Sequence, residues 1–342
     1  MAATIKDIAR KLNISVSTVS YALNDGPRPV PEDVKRQVLQ AAQELQYRPN
    51  RLARSLVTRR TFTIGLVPSE ATSNIVLSPY LQTALNGVVN TAEALHHDIL
   101  FFTRYDQTQI RQMSDILLDG RADGIIFLSP PPHAPVLDIV AERGVPHVVI
   151  AGEPRPDSPH FTADNEHGVE QILKHLIGLG HRKIGHLFGR PNMKDALDRR
   201  TEYRRVLVQN GLRTRDQWEA PGDFTMQGGY QGMKQILSAP DRPTAVFCAN
   251  DEIAAGAIRA AGDLGLKVPD DISIAGFDDA PLSTVFSPSI TTVRQPVEEM
   301  AILATRTLIS LIDGKAEAKS TVLPTELIVR DSTSRPKEDP AP

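Results

Sequence analysis

Asp278 and Asp279 are adjacent carboxylates, a pairing that serves general acid and base work or holds a cation. No third ligand stands in sequence range of them, so neither use is supported. The nine histidines are scattered, and only His96 and His97 are neighbours. Adjacent residues on a helix point in different directions, which makes such a pair poor co-ligands for a metal. There is no H-E-x-x-H, no G-x-S-x-G elbow, no G-x-G-x-x-G after a strand and no phosphate loop ending in G-K-[ST]. Cys248 is the only cysteine, which excludes an internal disulfide and a cysteine-based zinc site. Catalysis is disfavoured, and neither a cofactor nor a metal is called for. The remaining group with chemical character is a run of hydroxyls, Ser15, Ser17, Thr18, Ser20 and Tyr21, beside Val16. Small hydroxyls approach phosphates and base edges closely, which suits a nucleic-acid groove.

Charge agrees with that reading. Residues 1–60 hold eleven Lys/Arg against five Asp/Glu, a net of +6, whereas the rest of the chain is −9 and the whole is −3. A basic head on an acidic body points to a polyanion partner for the head alone.

The elements that must carry the hydroxyls follow from spacing. Thr4 and Asp7 form a capping-box pattern ahead of Ile5, Ile8, Ala9 and Leu12, and Asn13 ends that helix. Ser15 caps a second helix over 16–23, with Val19, Ala22 and Leu23 inward. Pro31 opens a third, with Val34, Val38, Leu39, Ala42 and Leu45 on its inner stripe. Two short helices joined by a few residues, then a third closing the core, describe a helix-turn-helix unit. After Tyr47, the basic run from Arg48 to Val57 has only about eight helix-competent residues, too few to hold a helix alone in water. Such a segment folds on a partner or serves as a flexible linker.

With 342 residues the chain exceeds what one core usually supports. From Thr61 onward, β-branched runs at 62–67, 99–102, 124–128, 145–150, 183–188, 244–248 and 272–277 alternate with amphipathic stretches such as 79–95, 109–118, 168–179 and 251–264. This alternation predicts an α/β body of two doubly wound parallel-sheet subdomains. Their boundary is placed near Phe161–Asp164, and the segment 290–312 is expected to cross back to the first half. No stretch reaches the ~18 apolar residues of a membrane span. The first residues have no apolar signal core, so the compartment reads as cytoplasmic.

Several ordered motifs carry a family resemblance: Thr4-Ile-Lys-Asp-Ile-Ala, Ile14-Ser-Val-Ser-Thr-Val-Ser, Ala22-Leu-Asn24 and Tyr47-Arg-Pro-Asn-Arg-Leu-Ala-Arg-Ser-Leu56. They resemble the headpiece and hinge helix of the lac-repressor (LacI) family of transcription regulators. Stretches at 180–185, 242–247, 249–251, 268–273 and 276–279 resemble that family's effector-binding core, which is similar to periplasmic sugar-binding proteins. The resemblance implies a helix-turn-helix domain at 1–47 and a hinge and linker at 48–60. It implies a first core subdomain of 61–161 plus about 292–322, a second of 162–291 plus about 323–332, and a frayed tail at 333–342. It implies base reading by Val16, Ser17 and Tyr21, and phosphate contacts from Ser15, Thr18, Ser20, Asn24, Tyr47 and Asn50. Arg54 would bind DNA from the hinge, and Leu56 would be the hinge's apolar wedge. Effector contacts are implied for Tyr80, Arg199, Phe224, Asn250, Phe277 and Asp278. The partners expected are palindromic operator DNA, a second copy of the chain and a mono- or disaccharide effector, with no membrane partner. Asn250 favours a sugar, because purine-binding relatives tend to lack it, whereas Ala151 stands where some sugar binders keep an acid. The reading is a repressor of carbohydrate-utilisation genes released by a sugar. The alternative is a corepressor-dependent regulator of a non-sugar metabolite such as a purine.

Overall fold

The computed structural model describes residues 3–24, 29–47, 60–68, 78–103, 110–315 and 319–337. The chain divides into two compact units, 1–61 and 62–342.

The first unit packs α1 (Ile5–Leu12), α2 (Val16–Asn24) and α3 (Glu32–Glu44). Asp7 Oδ2 accepts the Thr4 amide at 2.9 Å and its hydroxyl at 2.7 Å, which closes the first turn of α1. Asn13, at φ 52°, ends that helix in the left-handed conformation that asparagine tolerates. Ser15 Oγ accepts the Thr18 amide at 3.0 Å and starts α2. Ile8, Val19 and Val38 are fully buried where the three helices meet. Leu39, expected inside, is 52% exposed, and Ala41 joins the expected Ala42 in facing the core.

The second unit holds two parallel sheets. The first runs β11 (Thr321–Leu323), β5 (His160–Ala163), β4 (His147–Ile150), β3 (Gly124–Leu128), β1 (Thr63–Pro68) and β2 (Asp98–Phe101). The second runs β7 (Glu219–Pro221), β6 (Ile184–Phe188), β8 (Ala245–Cys248) and β9 (Ser273–Ala275). Successive side chains serve opposite faces: Ile126 and Leu128 enter one core and Ile125 and Phe127 another. Val246 and Cys248 separate from Ala245 and Phe247 in the same way. Each sheet is thus covered on both faces, which is why its strands read as near-continuous apolar runs. On the first sheet, α4 (Pro79–Ala94) and α12 (Val297–Ile312) pack so closely that a Cβ on Gly87 would lie 2.7 Å from the Glu298 carbonyl oxygen.

The chain passes between subdomains after Ala163, at Gln295–Pro296 and after Leu323. The second crossing, expected at about 292, falls a few residues later. β10 (Thr292–Arg294) stays with the second subdomain, because Thr291 and Arg294 bridge to Ala275 and Asp278 and β10 pairs antiparallel with β12 (Glu326–Ile328). Leu323, assigned to the second subdomain, pairs with Ala163 in the first sheet. The tail is not frayed from 333. Ser334 donates its amide to Ser273 Oγ at 3.0 Å and receives His181 Nε2 on its carbonyl at 2.9 Å, while Lys337 pairs with Asp271. Residues 338–342 lie outside the described residues.

His186 shows how burial in the second sheet becomes a pH dependence. Its ring lies between Tyr203 and Phe247, each 4.8 Å from it, and its Nδ1–H donates to the Phe247 carbonyl at 2.9 Å. Burial lowers its pKa from the ordinary 6.5 to about 4. Between those values the unfolded chain binds a proton that the folded one does not, so stability rises with pH across the window and is lost as pH falls. This site alone is expected to contribute up to about 3 kcal/mol of acid sensitivity. Thermal melts from pH 7 to 4.5 check it: His186→Gln should melt with a shallower dependence on pH than the parent.

Candidate nucleic-acid interface and ligand cleft

In the first unit, Ser15, Val16 and Ser17 form the exposed entry to α2, and Thr18, Ser20 and Tyr21 are half-buried along it. Val16 is 42% exposed, an apolar side chain left outside a core that had room for Ile8 and Val19. Tyr47 is half-buried against the three-helix core, and its amide donates to the Ala42 carbonyl at 2.8 Å. The Asn24 side chain and residues Asn50, Arg54 and Leu56 lie outside the described residues. Among the described residues, the expected DNA-facing side chains other than Tyr47 share one helix and its N-terminal entry.

The second unit contains a cavity of about 420 Å³ between its subdomains. Pro79, Tyr80 and Thr83 of α4 and Val297 of α12 line it from the first subdomain, and Asp278, Asp279 and Gln295 from the second. Behind it runs a polar network that begins on α8 (Lys194–Gln209). Arg199, 2% exposed, donates from Nε to Asn165 Oδ1 at 2.8 Å and from Nη1 to the Ala249 carbonyl at 2.6 Å. Its Nη1 lies 3.6 Å from Asp278 Oδ1, which also accepts from Gln295 Nε2. Asn165 in turn donates to Asp195 Oδ1 at 2.9 Å. Asp278 Oδ2 takes no hydrogen bond from the described residues and is left for the cavity.

The backbone at this carboxylate is held in an uncommon shape. Asp278 and Asp279 have φ of 119° and 58°, a region that costs free energy for any residue but glycine. Two contacts fix the loop. Asp251, at the start of α10 (Asp251–Asp263), accepts the Ala280 amide at 2.8 Å and the Thr292 hydroxyl at 2.6 Å. Arg294 Nε binds Asp279 Oδ2 at 2.7 Å, and Arg330 binds its other oxygen. Burial raises the Asp278 pKa to about 7, against the opposing pull of Arg199 and Gln295. Burial and the Asp278 charge raise Glu252 to about 7 as well. Asp195 is also raised, chiefly by burial.

Of the six expected effector residues, Tyr80 and Asp278 line the cavity and Arg199 supports Asp278. Asn250 caps α10, its Oδ1 accepting the Ile253 amide at 2.9 Å, with Nδ2 unpartnered among the described residues. Phe224 lies on Gly189, where a Cβ would come within 2.1 Å of its ring, at the C-terminal edge of β6. Phe277 needs correction. It is fully buried, with the Arg199 guanidinium 3.8 Å above its ring and Gly168 at its edge, so it props the arginine and offers no face to a ligand. The sequence reading missed Asn165, Asp195, Asp251 and Gln295. Only Asp251, an acid at a helix start after a strand, carried a visible signal.

Comparison with known proteins places this arrangement. Residues 4–50 match the family described as bacterial regulatory proteins, lacI family, and residues 173–333 match a periplasmic binding protein-like domain. The chain is similar to a probable HTH-type transcriptional repressor, ExuR of Bacillus subtilis (strain 168), at 33% identity over 97% of this chain and 98% of that one. The chain belongs to the LacI family.

As a LacI-family member it is a DNA-binding transcriptional regulator of the repressor type, with a helix-turn-helix head and a core of parallel sheets. Two solved structures are similar over nearly their whole length. One is the lac repressor dimer bound to operator and an anti-inducer, with a TM-score of 0.86 and 27% identity over 98% of this chain and 100% of that one. The other is a complex of the transcriptional regulator CelR with cellobiose, with a TM-score of 0.75 and 29% identity over 96% of this chain and 99% of that one. Among the described residues no helix is long and apolar enough to cross a membrane.

Proposed function

We propose that this LacI-family chain acts in the cytoplasm as a homodimeric repressor that leaves its operator on binding a mono- or disaccharide in the cleft. The observation that carries the sugar is Asp278: a carboxylate held at Oδ1 by Gln295 and Arg199, with Oδ2 open to a cavity that Tyr80 also lines. A carboxylate accepts, an amide does both and a phenol does both, a set that matches vicinal hydroxyls. The ring face expected of Phe277 for a pyranose is absent, since that residue is fully buried, so the reading rests on the polar groups. Dimerisation follows from the headpiece, because one recognition helix reads few base pairs and specific affinity uses two half-sites. A ligand that favours one arrangement of the subdomains changes the cost of folding the 48–60 hinge on DNA, and DNA must weaken that ligand by the same factor.

Operator titrations over a range of salt, with the parent and Leu56→Ala, test the DNA half. Counterion release makes log affinity fall linearly with log salt at about −0.9 per neutralised phosphate, so a steep slope is expected from two heads of net +6 each. A slope near zero would remove the DNA-binding mechanism. Leu56→Ala is expected to lose most operator affinity with the melting of the core unchanged. Parent-like binding by that variant would make residues 48–60 a passive linker.

A further inference from the structure

We infer that Arg330, which arrives from the far end of the chain, is the positioning residue that holds the loop carrying Asp278 in its ligand-ready shape. This deepens the reading of Asp278 given above and rests on it for its functional consequence. The loop needs holding. Asp278 and Asp279 are consecutive non-glycine residues at φ 119° and 58°, and such residues persist there only where the surroundings over-determine them. Left to itself, the segment would relax towards negative φ, and the Asp278 carboxylate would swing off Gln295 and Arg199. Asp279 supplies the handle. Its Oδ2 accepts Arg294 Nε at 2.7 Å, and its Oδ1 accepts Arg330 Nη2. The two arginines are not equivalent. Arg294 is 52% exposed and shares its guanidinium with Glu326 at 3.3 Å, so solvent and salt weaken its hold. Arg330 is 16% exposed, and its Nη1 also donates to Ser283 Oγ at 3.0 Å and to the Ile290 carbonyl at 2.9 Å. One planar fork therefore ties the loop to α11 (Leu282–Val285) and to the segment leading into β10.

The fork cannot drift, because its own backbone is pinned. The Arg330 amide donates to Thr291 Oγ1 at 2.9 Å, and the Thr291 hydroxyl donates to the Arg330 carbonyl at 3.2 Å. Two residues on, the Ser332 carbonyl accepts the Ile274 amide at 2.9 Å, and the Ser332 hydroxyl donates to the Ile274 carbonyl at 2.5 Å. Ile274 lies in β9, the strand that leads into Phe277 and Asp278. Residues 330–332 thus grip both the strand that delivers the ligand carboxylate and the loop that presents it. Charge agrees with the geometry. Burial alone would raise the Asp279 pKa, but the hydrogen bonds from Arg330 and Arg294 outweigh it and leave the carboxyl below its ordinary value, so the pair stays ionised.

The test is hydrogen exchange of the full-length, unliganded protein, read by peptide mass spectrometry. In Arg330→Gln the amides of 276–282 are expected to exchange about 10- to 150-fold faster, the range for losing a hydrogen bond to a charged group. The strands at 184–188 and 245–248 should keep the parent's rates. A uniform rise over the whole second subdomain would make Arg330 a staple of the fold and overturn the inference, as would unchanged exchange in the loop. Asp279→Asn keeps a residue that tolerates positive φ and should open the same peptide. Adding Arg330→Gln to it should change little further, since both act through one contact. Additive effects would show that Arg330 works by another route. Glucose, galactose, maltose and cellobiose probe the consequence by thermal shift and calorimetry. For any of them that raises the parent's melting temperature, Arg330→Gln should bind about tenfold more weakly. Equal affinity would remove the positioning role. If all four are inert, the sugar reading fails, and the inference still stands or falls on exchange in the unliganded protein.

Discussion

Asp278→Asn is expected to repress normally and to stop responding to the sugar, with effector affinity falling by about 10- to 150-fold. Hydrogen bonds to a charged group contribute about 1.5–3 kcal/mol each, and Asp278 Oδ2 is the open acceptor of the cleft. The amide is nearly isosteric and keeps the Gln295 contact, so the loop at φ 119° is retained. The parent also carries a pH signature. With the Asp278 pKa raised to about 7, hydroxyls that donate to the carboxylate favour its ionised form. Sugar affinity should therefore rise between pH 6 and 8, by up to tenfold per unit below the pKa, and release a proton. The groups that face Asp278 are Arg199, Gln295, Asp195, Asp251 and Glu252, of which Glu252 also titrates near 7 and, by repelling the Asp278 charge, spreads the change over a wider pH range. Operator release measured across a sugar titration at three pH values decides the matter. A flat profile in the parent, or a normal response in Asp278→Asn, would place the reading group elsewhere.

Arg199→Ala is expected to do more damage than loss of response. Its guanidinium holds Asn165, the Ala249 carbonyl and Asp278 together over the Phe277 ring. Removing one partner of a buried ionic network typically costs about 3–5 kcal/mol, since the remaining groups stay desolvated and unpaired. The variant should melt well below the parent as well as fail to respond. Arg199→Lys should not restore stability, because an ammonium cannot bridge three acceptors in one plane above a ring. Denaturant unfolding of the three proteins checks this. A loss under about 1 kcal/mol for Arg199→Ala would show that the network is dispensable to the fold.

The headpiece was legible because its signals are local. Thr4 with Asp7, Ser15 before Val16 and the helical spacing of Ile5, Ile8, Ala9 and Leu12 each act within a turn or two, and all reappear as caps and core. The strands at 124–128 and 184–188 were legible for a related reason: doubly covered strands are apolar at every position. The helices at 194–209 and 226–237 escaped, the first being unusually rich in charge for a core helix, and the second interrupted by glycines that let it approach its neighbour. At the site, Asp278 could be named from its place after a strand, but its partners could not. Asn165, Gln295 and Asp251 come together through chain crossings and long-range pairing that no spacing rule encodes. Phe277 misled because an aromatic beside a ligand carboxylate reads alike whether it faces the ligand or the arginine behind it.

The three crossings also set an order in which the chain can become functional during synthesis. The head closes on contacts within its first fifty residues, so it can fold as soon as it clears the ribosome. The first sheet cannot be completed then, because its edge strand arrives about 160 residues after the neighbour it pairs with, as the contact from His160 to Ser320 illustrates. The second sheet waits longer still, for Ser332 and Ser334 to close over β9. A nascent chain therefore has a folded reader of DNA well before it has a finished sensor.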